Sequence, residues 1–247
     1  MKRIVCWFSC GVASAVATKL AIVENNNRVP LVVVRCIVKE EHPDNDRFAA
    51  DCEKWFGQPV LNLMNEKYGG SIYSVFEKQR YISGVAGAPC TTYLKKDVRK
   101  KFELPGDTHV FGYTTNERAR FDRFLDANNI DVIAPLIDQQ LSHEDCVALV
   151  ANQGIEIPVL YKLGYHHNNC MGCVKSSGAG YWNKIRIDFP DMFAKQCEIS
   201  RRLGVRIIEN KGARIFLDEL PENTGDYKTE PEAQCGIFCE MVKEKLV

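Results

Sequence analysis

The chain has no apolar stretch approaching the roughly 20 residues that a membrane-spanning helix needs, which excludes an integral α-helical membrane protein. It has no net charge, with 32 Lys and Arg against 32 Asp and Glu, so no whole-surface field draws it to a polyanion. It lacks Gly-x-x-x-x-Gly-Lys-Ser/Thr and Gly-x-Gly-x-x-Gly, the loops of typical P-loop NTPases and of classical dinucleotide binding. No internal repeat and no domain linker stand out. The start, Met1-Lys2-Arg3-Ile4-Val5-Cys6-Trp7-Phe8, has too short an apolar run for a signal peptide and fits a strand better. These absences predict a soluble, cytoplasmic protein. In that reducing compartment eleven cysteines do not make a disulfide framework, and the odd count argues the same way.

What is present is an alternation of strand and helix. Residues 3–8 predict a buried strand, 9–11 a turn, and the alanine-rich 13–23 a helix. Residues 30–38 form a β-branched run, as expected of a strand covered on both faces. A helix over 46–56 and a short strand over 60–64 complete a β-α-β-α-β pattern, the mark of a parallel sheet with crossover helices. Helices follow at 71–80 and 91–102, separated by the Gly-rich loop 83–89. A strand at 109–113 and a helix at 117–128 come next, then an extended stretch at 130–136. Ser142 opens a helix to about residue 152, with an N-cap and an acidic first turn. Helix over 181–203, interrupted near Pro190, precedes a strand at 205–209. From 221 to 234 the composition is polar and rich in Gly, Pro and acids, which predicts a mobile tail.

The turn Ser9-Cys10-Gly11-Val12-Ala13-Ser14 sits between the first strand and the first helix. Small residues there expose backbone N–H groups, and the helix dipole adds positive charge, a combination that binds phosphate or sulfate. A tight β-α turn with no ligand is the plain alternative.

Several segments resemble the phosphoadenylyl-sulfate (PAPS) reductase family of the PP-loop superfamily. Ser9-x-Gly11-x-x-Ser14-Ala15-Val16 looks like its modified PP-loop. Pro89-Cys90-Thr91-Thr92-Tyr93-Leu94-Lys95 resembles its Cys-Thr-x-x-Leu-Lys segment. Gly112 to Arg120 resembles Gly-x-x-x-x-Glu-x-x-Arg. Ile133-Ala134-Pro135-Leu136-Ile137-Asp138, and Pro158 to Gly164 with its Leu160-Tyr161 pair, match two further stretches in order. The resemblance covers about residues 4–175, and Cys235-Gly236 extends it to the tail.

That resemblance implies an α/β, PP-loop (adenine nucleotide alpha-hydrolase-like) three-layer fold with a central, mostly parallel sheet. This domain would span 1–220, with cysteine-bearing loops around 83–95 and 164–180, and be followed by a tail over 221–247. It implies an adenine nucleotide (PAPS, APS, ATP or AMP) at the C-terminal edge of the sheet. Ser9, Cys10, Gly11, Val12, Ala13 and Ser14 would hold its phosphate or sulfate, and Ile37 and Val38 would meet the adenine through backbone groups. Gly112, Glu117, Arg118 and Arg120 would complete the site, the guanidinium forks facing oxyanions. A solvated helix face with Glu117 and Asp122 is the alternative for the two arginines. The sequence departs from Ser-Gly-Gly-x-Asp-Ser at Cys10 and Ala13, which weakens the case for pyrophosphate cleavage. It also has Pro89-Cys90 where cluster-bearing reductases have Cys-Cys.

Cys170-Met171-Gly172-Cys173 can grip one soft metal centre or form a redox pair. With Cys90 and Cys235 as further ligands, a [4Fe–4S] cluster is the first expectation. Zinc, completed by His166 or His167, is second, and a plain thiol pair third. Cys235 is also the expected nucleophile on a sulfonucleotide, with Cys239 to resolve it and a thioredoxin-like dithiol as reductant. A short amphipathic helix packing on the core is the alternative for that pair. Cys6, Cys36, Cys52, Cys146 and Cys197 read as ordinary core or helix thiols. The run Lys95, Lys96, Arg99, Lys100 and Lys101 could attract a sulfonucleotide or a nucleic-acid backbone, a solvated helix face being the commoner explanation.

The leading expectation is therefore a PAPS/APS reductase-like oxidoreductase. The second is an ATP-dependent, cluster-dependent sulfurtransferase with a nucleic-acid or small-molecule acceptor. The third is a non-catalytic nucleotide-binding or redox-sensing module. A homo-oligomer is compatible with all three.

Overall fold

The structure is a computed structural model that describes residues 2–84, 87–210 and 212–230. In chain order the elements are β1 (Ile4–Trp7), α1 (Val12–Asn25), β2 (Leu31–Cys36), α2 (Asp44–Phe56), β3 (Val60–Leu63), α3 (Ile72–Gln79), α4 (Pro89–Thr91), α5 (Asp97–Phe102), β4 (Thr108–Val110) and α6 (Arg118–Ala127). They continue as β5 (Asp131–Ile133), α7 (Pro135–Asp138), α8 (His143–Asn152), α9 (Val159–Lys162), α10 (Ala179–Asp188), α11 (Pro190–Leu203), β6 (Ile208–Asn210) and β7 (Ala213–Ile215). A π-helical turn, Thr92–Lys96, joins α4 to α5. The chain forms two compact units. The first comprises Met1–Ile37, His42–Met64 and Val98–Asn168, the second Val38–Glu41, Asn65–Asp97 and Asn169–Val247.

The first unit holds a five-stranded sheet in the order β3-β2-β1-β4-β5. All four pairings are parallel. Period-two alternation along β1 sends its side chains to opposite faces. Cys6 and Phe8 enter one core with residues of α1, α2, α7 and α8, among them Val16, Phe48, Leu136 and Val150. Trp7 faces the other way, edge-on to Phe102 of α5. On that side Phe111 and Tyr113 pack on Phe124 of α6. The sheet is thus covered on both faces, which is why its strands read as near-continuous apolar runs. The expected α/β class with a central parallel sheet is the observed one. The extended reading of 130–136 fails at its end, because Pro135 sits at the start of α7, where a missing N–H costs nothing.

The second unit packs α3, α4, α10 and α11 with the antiparallel pair β6–β7. Trp182 and Ile185 of α10 and Ile199 of α11 are buried. Residues 221–230, expected to be mobile, are strapped along α10. Asn183 Nδ2 donates to the carbonyls of Pro221 and Thr224 at 2.9 and 2.8 Å. Glu230 accepts from the N–H groups of Gly180 and Tyr181 at 2.6 and 2.9 Å. A carboxylate there satisfies orphan donors and opposes the helix dipole. Polar composition misled the reading because these polar groups are used to bind backbone. Residues 231–234 of that stretch lie outside the described residues. No described helix is long and apolar enough to cross a membrane.

Backbone contact makes Gly180 irreplaceable: a Cβ there would lie 2.4 Å from the Tyr227 nitrogen. Gly180→Ala should destabilise by about 1–3 kcal/mol, the scale of overpacking, read as a lower midpoint in urea. An unchanged midpoint would refute the strap.

On the far side of the sheet, Trp7 Nε1 donates to His109 Nδ1 at 2.9 Å, which requires that nitrogen unprotonated. Burial lowers the His109 pKa, against an opposing pull from Glu103. The unfolded chain binds the proton near the ordinary value of about 6.5, whereas the folded chain resists it. Stability should therefore fall as pH drops below about 6.5. His109→Gln should lack that component when denaturation curves are compared at about pH 7.5 and 5.5. Parallel losses in both proteins would contradict the assignment.

Candidate functional site

In an open parallel sheet the loops at the carboxyl ends of the strands diverge where strand order reverses. Here the reversal lies between β1 and β4, since β2 and β3 extend to one side of β1 and β4 and β5 to the other. The expected phosphate loop follows β1, and Gly112 follows β4, so both flank this point. Gly112 abuts the first turn of α1: a Cβ on it would sit 2.6 Å from the Ser14 nitrogen and 2.8 Å from the Ala13 carbonyl carbon. Only glycine permits this approach.

Within the loop the two serines do different work. The Ser14 hydroxyl accepts from the Ser9 N–H at 3.0 Å and from Ser9 Oγ at 3.1 Å, and donates to the Gly11 carbonyl at 2.9 Å. Those three bonds use its one proton and both lone pairs, so Ser14 shapes the loop. Ser9 is exposed. Cys10 is fully buried with φ at 59°, a left-handed conformation that costs a non-glycine residue about 1–2 kcal/mol. Its Sγ lies 3.7 Å from the Asn45 carbonyl. The Tyr161 hydroxyl lies against the loop, 3.2 Å from where a Cβ on Gly11 would stand. Burial holds that phenol above its ordinary pKa, so it remains neutral.

The other expected nucleotide residues are placed as follows. The Ile37 N–H donates to the Leu63 carbonyl at 2.8 Å and ends the β2–β3 ladder. Val38 belongs to the second unit, where its carbonyl accepts from Glu41 at 3.1 Å. Glu117 closes a capping box with Thr114 and pairs with Arg120. The Arg120 guanidinium also lies 5.3 Å from the Tyr113 ring centroid. Arg118 pairs with Asp122 at 2.9 Å on an exposed helix face. That arrangement matches the solvated-face alternative for Arg118.

Cys90, Cys170 and Cys173 all fall in the second unit. Cys170 and Cys173 are buried and Cys90 is half-exposed. Their loop is fixed by backbone bonds. The Met171 N–H donates to the Glu40 carbonyl at 2.9 Å, and the Cys173 N–H to Tyr181 Oη at 2.6 Å. Gly172 turns between them with φ at 75°. Glu40 itself caps α3, accepting from Ser71 Oγ at 2.6 Å and the Ile72 N–H at 2.9 Å. Thiols are the donor chemistry that an iron–sulfur cluster takes. Yet among the described residues no three His, Cys, Asp or Glu side chains are gathered to hold a metal ion. Cys235 and Cys239 lie outside the described residues. Burial pushes Cys52 and Cys146 up to about 12 and Cys197 to about 11, which leaves them inert as nucleophiles.

Sequence reasoning missed three things. The basic run is not a uniformly solvated face, since Lys95 and Arg99 are buried. Lys95 pairs with Glu41 at 3.4 Å and Arg99 with Glu103 at 3.5 Å. Asn168 and Asn45 converge beside Cys10, with no signal beyond their being amides near a cysteine motif. Tyr161 lay in a matching segment but carried no assigned role.

No protein-family model matches the chain, and no curated protein matches it in sequence. Among solved structures it is similar to the U34-tRNA thiolase NcsA from Methanococcus maripaludis, determined with its [4Fe-4S] cluster. That similarity is at 12% identity and a TM-score of 0.40, over 82% of this chain and 69% of the thiolase.

The close approach at Gly112 is open to test. Gly112→Ala should lower the thermal midpoint by an amount equivalent to about 1–3 kcal/mol, by forcing apart β4 and the start of α1. A variant as stable as the parent would show that the loop yields freely.

Proposed function

We propose that this chain is an adenine-nucleotide-dependent enzyme acting on sulfur, and that its chemistry is ATP-dependent sulfur transfer. The observation that supports it most is the pre-shaped β1–α1 loop, locked by Ser14 and abutted by Gly112 at the strand-order reversal. A loop shaped before binding needs little reorganisation to receive an oxyanion. Ser9 is the exposed hydroxyl beside it, and would turn its proton from Ser14 Oγ to the oxyanion. The sulfur half of the reading rests on the thiols. Cys170 and Cys173 are buried in a hydrogen-bonded loop, which suits a structural or ligating pair better than an exposed redox couple. Cys90, half-exposed, is the thiol accessible to carry sulfur.

A second reading, reductive cleavage of a sulfonucleotide, is favoured by Cys235-Gly236 in the sequence and by Ala13 standing where pyrophosphatase loops carry aspartate. In that reading Cys235 attacks sulfur and a dithiol partner of the thioredoxin kind restores it. A [4Fe–4S] cluster on Cys170 and Cys173 would serve either chemistry, with Cys235 as a further ligand in the first reading, where Cys90 carries sulfur, and Cys90 in the second, where Cys235 attacks it.

One experiment separates the readings. Protein purified without oxygen is given ATP, a persulfide (sulfane-sulfur) donor, a dithiol reductant and a mixed tRNA or small-molecule acceptor pool, and separately PAPS or APS with reduced thioredoxin. Sulfur transfer predicts pyrophosphate release and, after it, AMP release with a thiolated product in the first assay, and Cys90→Ser should reduce the AMP and product steps at least about 100-fold, as for loss of a reacting group. Sulfite release abolished by Cys235→Ser would instead establish the reductase. Nucleotide binding without turnover in either assay would leave a non-catalytic module.

A further inference from the structure

We infer that Asn168 is a positioning residue for oxyanion binding at the β1–α1 loop, acting through the backbone of Cys10; this rests on the nucleotide-binding reading given above. The Asn168 carboxamide is buried. Its Nδ2 donates to the Cys10 carbonyl at 2.7 Å and to Asn45 Oδ1 at 2.7 Å. Both amide protons are therefore spent on holding the loop. Asn45 meets Cys10 from the other side, its carbonyl 3.7 Å from Cys10 Sγ. Asn168 thus holds the loop at the carbonyl of residue 10 and, through Asn45, steadies the neighbour of the Cys10 side chain.

The need for such a clamp follows from Cys10. At φ 59° it occupies a conformation that a side chain disfavours. Without external bonds the peptide between residues 10 and 11 would rotate toward the ordinary regions and redirect the Gly11 N–H. A phosphate or sulfate bound by a row of N–H groups senses that rotation directly. The adenosine part of a nucleotide, held by other groups, does not. Asn168 Oδ1 is buried and meets no donor among the described residues, so the amide grips only through its nitrogen. An aspartate of the same shape would place an acceptor against two acceptors.

The assignment separates from a merely structural role by ligand and by background. Titration calorimetry on the full chain uses ATP, inorganic sulfate and adenosine as probes. Asn168→Ala and Asn168→Asp should each weaken ATP about 10-fold or more, the scale of a lost buried hydrogen-bond pair, and leave adenosine within about 2-fold. In a Cys10→Gly background, where the left-handed conformation is unstrained, the Asn168→Ala penalty should shrink to about 3-fold or less, a coupling that a double-mutant cycle reads. Asn45→Ala, which removes only one acceptor, covers the case in which neither Asn168 variant folds and should weaken ATP about 3-fold. Equal losses for ATP and adenosine, or an undiminished penalty in the Cys10→Gly background, would overturn the inference. A parent protein that binds adenosine but neither ATP nor sulfate would overturn the reading of the loop itself, and the inference with it.

Discussion

The contact between the backbone at residue 112 and the first turn of α1 is the constraint on which the first unit's site depends. It brings the end of β4 against the start of the helix that follows β1, with no side chain between them. A parallel sheet needs long crossovers between neighbouring strands, so β1 and β4, adjacent in space, are a hundred residues apart in sequence. Direct backbone packing gives that non-local pair a defined spacing. The loop after β1 is then shaped from three sides: by its own serines, by Gly112, and by the hydroxyl of Tyr161.

The residues expected to carry the chemistry fall in both units. Nearly all residues expected to meet a nucleotide lie in the first, and Cys90, Cys170 and Cys173 lie in the second. In each unit buried or half-buried polar groups serve the backbone. Glu40, Asn168, Ser14 and Glu230 all satisfy main-chain donors or acceptors. Such bonds matter because a buried main-chain group left unmet costs more than an average hydrogen bond returns.

Much of this was legible in the sequence because it rests on local pattern. The β-branched run at 31–36, the alanine-rich α1 and the Ser142 cap each carry their own signal, and the parallel sheet follows from their alternation. The turn at Ser9 to Ser14 was legible for the same reason. Asn168 and Asn45 were not, since their roles come from meeting Cys10 across more than thirty residues of sequence in each case. Lys95 misled because helical charge is read as solvated unless an acid from another segment, here Glu41, is known to reach it, and Arg99 because its partner Glu103 is local but its burial is not. The strap over 221–230 misled in the opposite direction. Its Gly225, placed where a Cβ would strike the Gly180 nitrogen at 2.2 Å, looks in sequence like any flexible glycine.

Glu230 has a consequence for ion selectivity. Two long helices in this chain begin at glycine-bounded turns, α1 after Gly11 and α10 after Gly178. Both would offer positive helix ends to dissolved anions. At α10 the chain supplies its own carboxylate, tethered and hence present at an effective concentration that free phosphate or sulfate does not match. That helix end is closed to traffic. The start of α1 carries no acidic residue in its first turn.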